Sequence, residues 1–208
     1  MESLFSVNNL VIFVLCYIIG SFPTAYILVK LKSNKDLTKE GSGNVGTLNS
    51  FTVSKSKSIG IAVLIIDILK GVLPVYLMMF VFPFTYQSVM LGAASLILGH
   101  NYPVWLKFKG GRGLATGAGI FLIVNYFIFL GWCIVWLVVF LIKRKVLIAN
   151  TIATFSLPVY VLIINLVPAF VVNSGAAGFS LNYFTVYSII ITVIILSRHT
   201  EVFKKEKN

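Results

Sequence analysis

Leu114–Ile142 reads LATGAGIFLIVNYFIFLGWCIVWLVVFLI and is closed by Lys143, Arg144 and Lys145. An apolar run of this length has two readings. It can be one long helix that crosses a bilayer once, or two short helices folded back near Asn125 or Gly131. Charge decides between them, because lysine and arginine near spans prefer the cytoplasmic side. If the run turns back, four basic clusters share one side: Lys30 to Lys57, Lys107 to Arg112, Lys143 to Lys145, and Arg198 to Lys207. If it crosses once, the Lys143 cluster and the C-terminal tail fall on opposite sides. The sequence therefore predicts a turn. With it comes an all-α integral membrane protein of about seven transmembrane helices, N-terminus outside and C-terminus cytoplasmic. The two middle helices would then hold about 13 to 15 residues each, below the usual span of about 17. A five-span version in which neither crosses fully has the same loop placement.

Composition agrees with a membrane chain. Of 208 residues, 58% are hydrophobic and 11% charged, whereas an ordinary soluble domain carries about a quarter charged residues. A single membrane-embedded domain, 1–208, is expected. Outward from the middle run, further spans read as about Leu4–Lys30, Ile59–Phe82, Gln87–Pro103, Leu147–Val172 and Tyr183–Ser197, with an uncharged loop over Asn173–Asn182. Pro23 lies inside the first of them. The first charge is Glu2, so a basic leader is missing and the first hydrophobic run is expected to be kept as a span. Cys16 and Cys133 both lie in apolar runs and the two histidines are far apart, so neither a disulfide nor a metal site is expected.

Immediately before the middle run, Gly99–Gly119 reads GHNYPVWLKFKGGRGLATGAG. Lys107, Lys109 and Arg112 cluster there, and Gly110, Gly111 and Gly113 surround the arginine. Glycines let successive backbone N–H groups converge, and the helix that follows aims its positive end at the same point. No acidic side chain in the segment answers the cations, which suits a phosphate ligand. The alternative is a basic loop that touches only anionic lipid headgroups. Gly41–Asn49, GSGNVGTLN, is a second glycine-rich loop, with Gly41, Gly43 and Gly46 between Ser42, Asn44 and Asn49. It lacks the Gly-Lys-Ser/Thr of a Walker A loop, yet offers donors for an oxyanion or phosphate, on the same side as the basic stretch. Alone it would read as a flexible turn.

Among charged residues only Asp67 and Lys70 fall inside a span. Three apart on one helical face, they can pair. Lys70 would lie about 17 Å inward from Ile59 at 1.5 Å per residue, a depth that suits holding up a site, or fixing helix packing, better than touching substrate. His100 has three readings: general base, phosphate ligand, or neutral histidine bonded to backbone. His199 follows Arg198 at the end of the last span, where a structural role suits it. An acyltransferase His-x4-Asp is absent, since Trp105 and Lys204 stand at the fifth places after the two histidines. A serine-hydrolase elbow is also absent.

With these residues in view, GSGNVGTLN resembles the first motif, and GHNYPVWLKFKGGRGLAT the second, of the bacterial PlsY-type acyl-phosphate:glycerol-3-phosphate acyltransferases. Asp67–Lys70–Gly71 and Arg198–His199 also match, so the resemblance covers about Gly20 to Glu201. It implies a multi-pass enzyme of the bacterial plasma membrane with its site at the cytoplasmic face. It also implies transfer of a fatty acyl group from acyl phosphate to the 1-hydroxyl of glycerol 3-phosphate, giving lysophosphatidate for phospholipid biosynthesis. No metal or other cofactor is implied, and no nucleic acid. Membrane lipid surrounds such a protein, and a protein that makes acyl phosphate is a conceivable partner.

Carried over by the resemblance, Ser42 and His100 are the catalytic candidates. Gly41, Gly43, Asn44, Gly46, Asn49, Asn101, Lys109, Gly110, Gly111, Arg112, Gly113 and His199 are the substrate-binding candidates, and Asp67 and Lys70 support them. Acyl phosphate is already activated, so no covalent nucleophile is needed, and its phosphate can accept the hydroxyl proton. The chain departs from the family pattern at Thr52, where arginine is usual, at Leu147 and Asn150, in place of a serine pair, and at Val202, in place of asparagine. Each departure removes a polar group from the glycerol phosphate side. A diverged paralogue, acceptor-altered or a non-catalytic scaffold for lipid or a partner protein, is the alternative reading; an anion transporter fits less well because the polar residues gather at one face.

Overall fold

The computed structural model describes residues 6–82, 84–165 and 181–199, and those residues form helices and connecting turns. In chain order the helices are α1 (Val7–Ser21), α2 (Thr24–Ser33), α3 (Thr47–Ser54), α4 (Lys57–Tyr76), α5 (Tyr86–Asn101), α6 (Leu114–Val124), α7 (Tyr126–Lys143), α8 (Val146–Phe155), α9 (Leu157–Asn165) and α10 (Leu181–Leu196). The loop over Asn173–Asn182, except the start of α10, and the tail with Val202, Lys204 and Lys207 lie outside the described residues.

The long middle run breaks at Asn125. This residue is extended (φ −164°, ψ 100°), and its side chain accepts from the Phe127 N–H at 3.1 Å, capping α7 as it ends α6. An asparagine does this because its short amide competes with helical backbone bonding. The sequence alternatives of Asn125 and Gly131 are thereby separated. Gly131 lies inside α7, against the Tyr160 ring of α9. Three helical stretches are long and apolar enough to cross a bilayer among the described residues: Val7–Ser33, Lys57–Val81 and Tyr126–Lys143. Val146–Phe155 and Leu157–Ile163, bent by 43°, make a fourth if taken as one span. Within the expected span over Leu147–Val172, the described residues thus bend between Phe155 and Leu157.

Proline shapes two of these stretches. Pro23 has no N–H to donate, and the chain leaves helical geometry at Phe22 and Pro23 before α2 begins. Pro74 lies inside α4, and the helix beyond it loosens into a π-turn over Leu77–Val81, where Phe82 N–H reaches back to Leu77 O at 2.8 Å.

Helix α5 is the axis of the bundle. Nearly every residue of it is buried, and Met90, Leu96 and Ile97 meet Ile12, Ile120, Ile128, Phe184 and Ile191 from its neighbours. Helix α1 lies parallel to it: Asn9 Oδ1 accepts from Ser88 Oγ at 2.7 Å near one end, and Gly99 abuts Tyr17 and Ser21 near the other. Helix α10 is also parallel, because Tyr187 donates to Gln87 O at 3.4 Å while Asn101 donates to Ile194 O at 2.8 Å. Small residues permit the tightest crossings, as is usual where lipid gives no hydrophobic drive to pack. At the α4–α6 crossing, a Cβ on Gly71 would lie 2.8 Å from Ile120 N, and one on Gly119 3.0 Å from Val72 N. The parallel run of α1, α5 and α10 brings their C-terminal ends to one end of the bundle, and the candidate site sits there.

Candidate active site

The end of α5 and the turn behind it form the floor of the site. Tyr102 is pinned by Tyr17, whose hydroxyl donates to Tyr102 O at 2.7 Å, and Trp105 by its indole bond to Ser21 Oγ at 3.0 Å. A 3₁₀ turn over Val104–Leu106 then leads through Lys107 and Phe108, both in the left-handed region, into the glycines. Gly110 and Gly111 fold back on α5: Gly110 N–H donates to Asn101 O at 3.2 Å and Gly111 N–H to His100 O at 3.0 Å. These two N–H groups are therefore engaged within the protein. The glycines are needed for contact instead. A Cβ on Gly110 would sit 2.7 Å from Asn101 O, and one on Gly111 would meet the His100 ring nitrogen Nε2 and lie 2.9 Å from Val45 O. Gly113, with φ +74°, caps α6. What this turn presents to an anion is thus the α6 N-terminus together with Arg112 and the exposed Lys109.

The first loop is built around Asn49. Its amide nitrogen donates to Asn44 O (2.9 Å), Glu40 O (3.0 Å) and Leu37 O (3.4 Å), and its Oδ1 accepts from Ser42 N–H (3.0 Å). Both N–H groups of this amide and one acceptor position of its oxygen are taken up in shaping the loop, so Asn49, 6% exposed, braces it from within. Gly41 (φ +60°) and Gly43 (φ +71°) make the turns around it, Gly46 precedes α3, and Ser42 is exposed. Asn44 is buried, and its Nδ2 has no hydrogen-bond partner among the described residues. Upstream, Thr38 donates to Asp36 at 2.6 Å and, with nearby lysines, holds that carboxyl below its ordinary range. A small apolar cluster of Ala25, Val29, Leu37, Val45, Val53 and Val63 fastens the loop to α2 and α4.

The two loops meet. Val45 N–H donates to Gly110 O at 3.3 Å, and the Arg198 guanidinium clamps Gly110 O (3.0 Å) and Gly111 O (3.4 Å) from the end of α10. Arg198 also lies over the Tyr102 ring at 5.6 Å. His199 beside it is buried, with Nδ1 2.8 Å from Ile195 O, the structural placement that suits a helix end.

Under the loops lies a small polar cavity lined by Thr24, Asp67, Lys70, His100, Val45 and Gly110, among others. Lys70 Nζ donates to Asp67 Oδ1 at 2.8 Å and to Phe22 O at 2.7 Å, a carbonyl that Pro23 takes out of helical pairing and that also accepts from Thr24 N–H at 2.9 Å. The paired charges and the extra acceptor make burial of an ammonium tolerable. His100 Nδ1 lies 3.4 Å from Thr116 Oγ1 and 3.9 Å from Asp67 Oδ1. Asn101 is fully buried and ties α5 to α10. No metal-ligating cluster occurs among the described residues.

The structure thus brings Ser42, Asn44, His100, Asp67, Lys70 and Lys109–Gly113 to one end of the bundle, with Asn49, Asn101 and His199 held on backbone carbonyls around them and Asn101 Oδ1 buried without a partner among the described residues. Arg198 as a carbonyl clamp, Phe22 O as a lysine acceptor, and Thr24 were not singled out by sequence reasoning. Pro23 within an apolar run was the available signal for the last two. Among the departures, Thr52 bonds to Leu48 O at 2.9 Å, Asn150 Oδ1 accepts from Trp136 Nε1 at 2.6 Å, and Val202 lies outside the described residues.

Fold and site together define an all-helical membrane protein with a polar, anion-suited site where two glycine-rich loops meet. The chain belongs to the glycerol-3-phosphate acyltransferase family, whose model matches residues 10–207. It is 35% identical over 192 residues to a glycerol-3-phosphate acyltransferase of Pelagibacter ubique (strain HTCC1062), covering 92% of this chain and 90% of the relative. It is 45% identical over 121 residues to glycerol-3-phosphate acyltransferase 2 of Lactobacillus johnsonii, covering 58% of this chain and 55% of that one. Its fold is similar to the crystal structure of PlsY (YgiH), an integral membrane glycerol 3-phosphate acyltransferase, in the glycerol 3-phosphate form, with a TM-score of 0.78 and 30% identity over 95% of this chain and 91% of the other. The lysophosphatidic acid form of that protein gives a TM-score of 0.76 at 29% identity.

Proposed function

We propose that this protein transfers a fatty acyl group from acyl phosphate to the 1-hydroxyl of glycerol 3-phosphate, giving lysophosphatidate for phospholipid synthesis. The observation that carries the reading is the junction of the two loops, Val45 to Gly110, over the cavity that holds Asp67, Lys70 and His100. Two anionic substrates need two cationic or donor-rich loops close enough for their reacting atoms to meet. The α6 N-terminus, Arg112 and Lys109 receive the donor phosphate, and the Ser42–Asn44 turn faces the acceptor. The acceptor hydroxyl oxygen bonds to the acyl carbon, the carbon–oxygen bond to phosphate breaks, and inorganic phosphate leaves with the hydroxyl proton. Since the donor is already activated, the protein contributes orientation and charge stabilisation. His100 packs on Gly111 and shapes the site. In the membrane the chain forms seven spans with this site at the cytoplasmic face, where a separate enzyme could deliver acyl phosphate.

A second reading, a non-catalytic scaffold, draws on the commitment of Thr52 to Leu48 O and of Asn150 to Trp136. Purified protein given acyl phosphate and labelled glycerol 3-phosphate separates the two: labelled lysophosphatidate is expected, and its absence with intact fold favours the scaffold. For topology, single cysteines placed at Lys39, Lys109 and Lys143 should all resist a membrane-impermeant thiol reagent in intact cells. Labelling at position 143 but not at 109 would overturn the seven-span arrangement.

A further inference from the structure

Thr24 opens α2 just past the Phe22–Pro23 break, and the residue is 3% exposed. Its hydroxyl is buried and has no hydrogen-bond partner among the described residues. A buried hydroxyl without a partner destabilises a fold, so a fold that keeps one points to a role for it. It lines the polar cavity shared with Lys70, Asp67, His100 and Gly110, whose free space is about 10 Å³. That is room for one oxygen-sized group. Lys70 also lines a second cavity, an apolar groove of about 670 Å³ between α1 and α4, walled by Val11, Leu15, Ile19, Leu69 and Leu73. Gly110 leads from the polar cavity to the phosphate-suited turn on its other side. Because Lys70 lines both, a molecule with a charged head at that turn and an apolar tail in the groove would bring its linking group near Lys70 and Thr24.

We propose that Thr24 is a catalytic residue, whose hydroxyl donates to the carbonyl oxygen of the acyl donor. It holds that oxygen as it gains negative charge on attack by the acceptor hydroxyl. Lys70 stands beside the same oxygen with the one ammonium proton not used on Asp67 and Phe22 O. When the carbon–oxygen bond to the leaving group breaks, the carbonyl re-forms and the hydroxyl is released. This rests on the acyl-transfer reading above, but it concerns the acyl carbonyl, which acyl phosphates and acyl thioesters share.

The test compares wild type, Thr24→Val, which keeps the shape without the hydroxyl, and Thr24→Ser, which keeps the hydroxyl. Wild type is first assayed with acyl phosphate and with an acyl thioester, and the variants with the donor that works. Removing an oxyanion donor lowers kcat by about 100-fold or more, so Thr24→Val should show that loss with both KM values within about twofold and Thr24→Ser should recover most of it. The thermal midpoint of Thr24→Val should equal or exceed that of wild type, because the hydroxyl has no internal partner to lose. A Thr24→Val kcat within about threefold of wild type, an equal loss in both variants, or a change confined to KM overturns the inference alone. A wild type that turns over neither donor overturns it together with the acyl-transfer reading.

Discussion

Gly111→Ala tests the contact on which the site is built. The added methyl would meet His100 Nε2, lie 2.8 Å from His100 Cδ2 and stand 2.9 Å from Val45 O. Carbon atoms in contact prefer about 3.5–4.0 Å, so the ring and the first loop must both give. Neither does so freely. His100 is 8% exposed, Thr116 and Asp67 crowd its other side, and Val45 is fastened through Gly110 and the small apolar cluster. Overpacking of this kind costs about 1–3 kcal/mol. For a chain of this size each kcal/mol lowers Tm by about 2–4 °C, so the expected fall is about 2–12 °C in detergent. The catalytic loss should exceed what that implies, because a displacement of about 1 Å at a reacting site can cost 100-fold. The assay is the labelled glycerol 3-phosphate transfer, with Tm measured on the same preparations. Adding His100→Ala removes the struck ring, so the double variant should regain stability relative to the sum of the singles, with a coupling of about 0.5–3 kcal/mol, and stay inactive. Wild-type Tm and kcat/KM in Gly111→Ala would refute the packing argument.

Breaking the buried pair by Asp67→Asn or Lys70→Met should each cost about 3–5 kcal/mol, read by thermal unfolding, while the double replacement should be milder than either. Asn49→Ala should loosen the first loop by about 2–4 kcal/mol, since four hydrogen bonds end on that amide, and should raise KM for glycerol 3-phosphate before it lowers kcat; Asn49→Asp should not rescue it, because a carboxylate would face three carbonyls. Thr52→Arg should lower KM for glycerol 3-phosphate by about tenfold, as a two-pronged donor replaces a hydroxyl now turned to Leu48 O. An unchanged KM would mean that another group, such as Lys55 or Lys57, already serves that phosphate.

Composition, hydrophobic run length and the sidedness of lysine and arginine were enough to read an all-helical membrane chain with two glycine-rich loops at one end, because insertion into lipid is decided by local apolar content and charge. The pairing of Asp67 with Lys70 was legible for the same reason: three residues on a helix fix the neighbours. The order and wording of the two motifs carried the family. What each motif residue does was not legible. Asn49 and Asn101 read as ligands for substrate. In the fold the Asn49 amide holds the carbonyls of its own loop, and Asn101 gives its nitrogen to Ile194 O while its Oδ1 is buried without a partner among the described residues. Whether an amide faces a ligand or a carbonyl depends on backbone brought from elsewhere in the chain. Gly110 and Gly111 read as donors to an anion, yet their N–H groups are bound to the end of α5, and their lack of a side chain admits His100 and Val45. Phe22 O, Thr24 and Arg198 joined the site only through the parallel packing of α1, α5 and α10, a juxtaposition of residues far apart along the chain. Local pattern determined the helical elements; tertiary packing decided which polar atoms remained for chemistry, because a buried polar group's role is set by the partners that three dimensions bring to it.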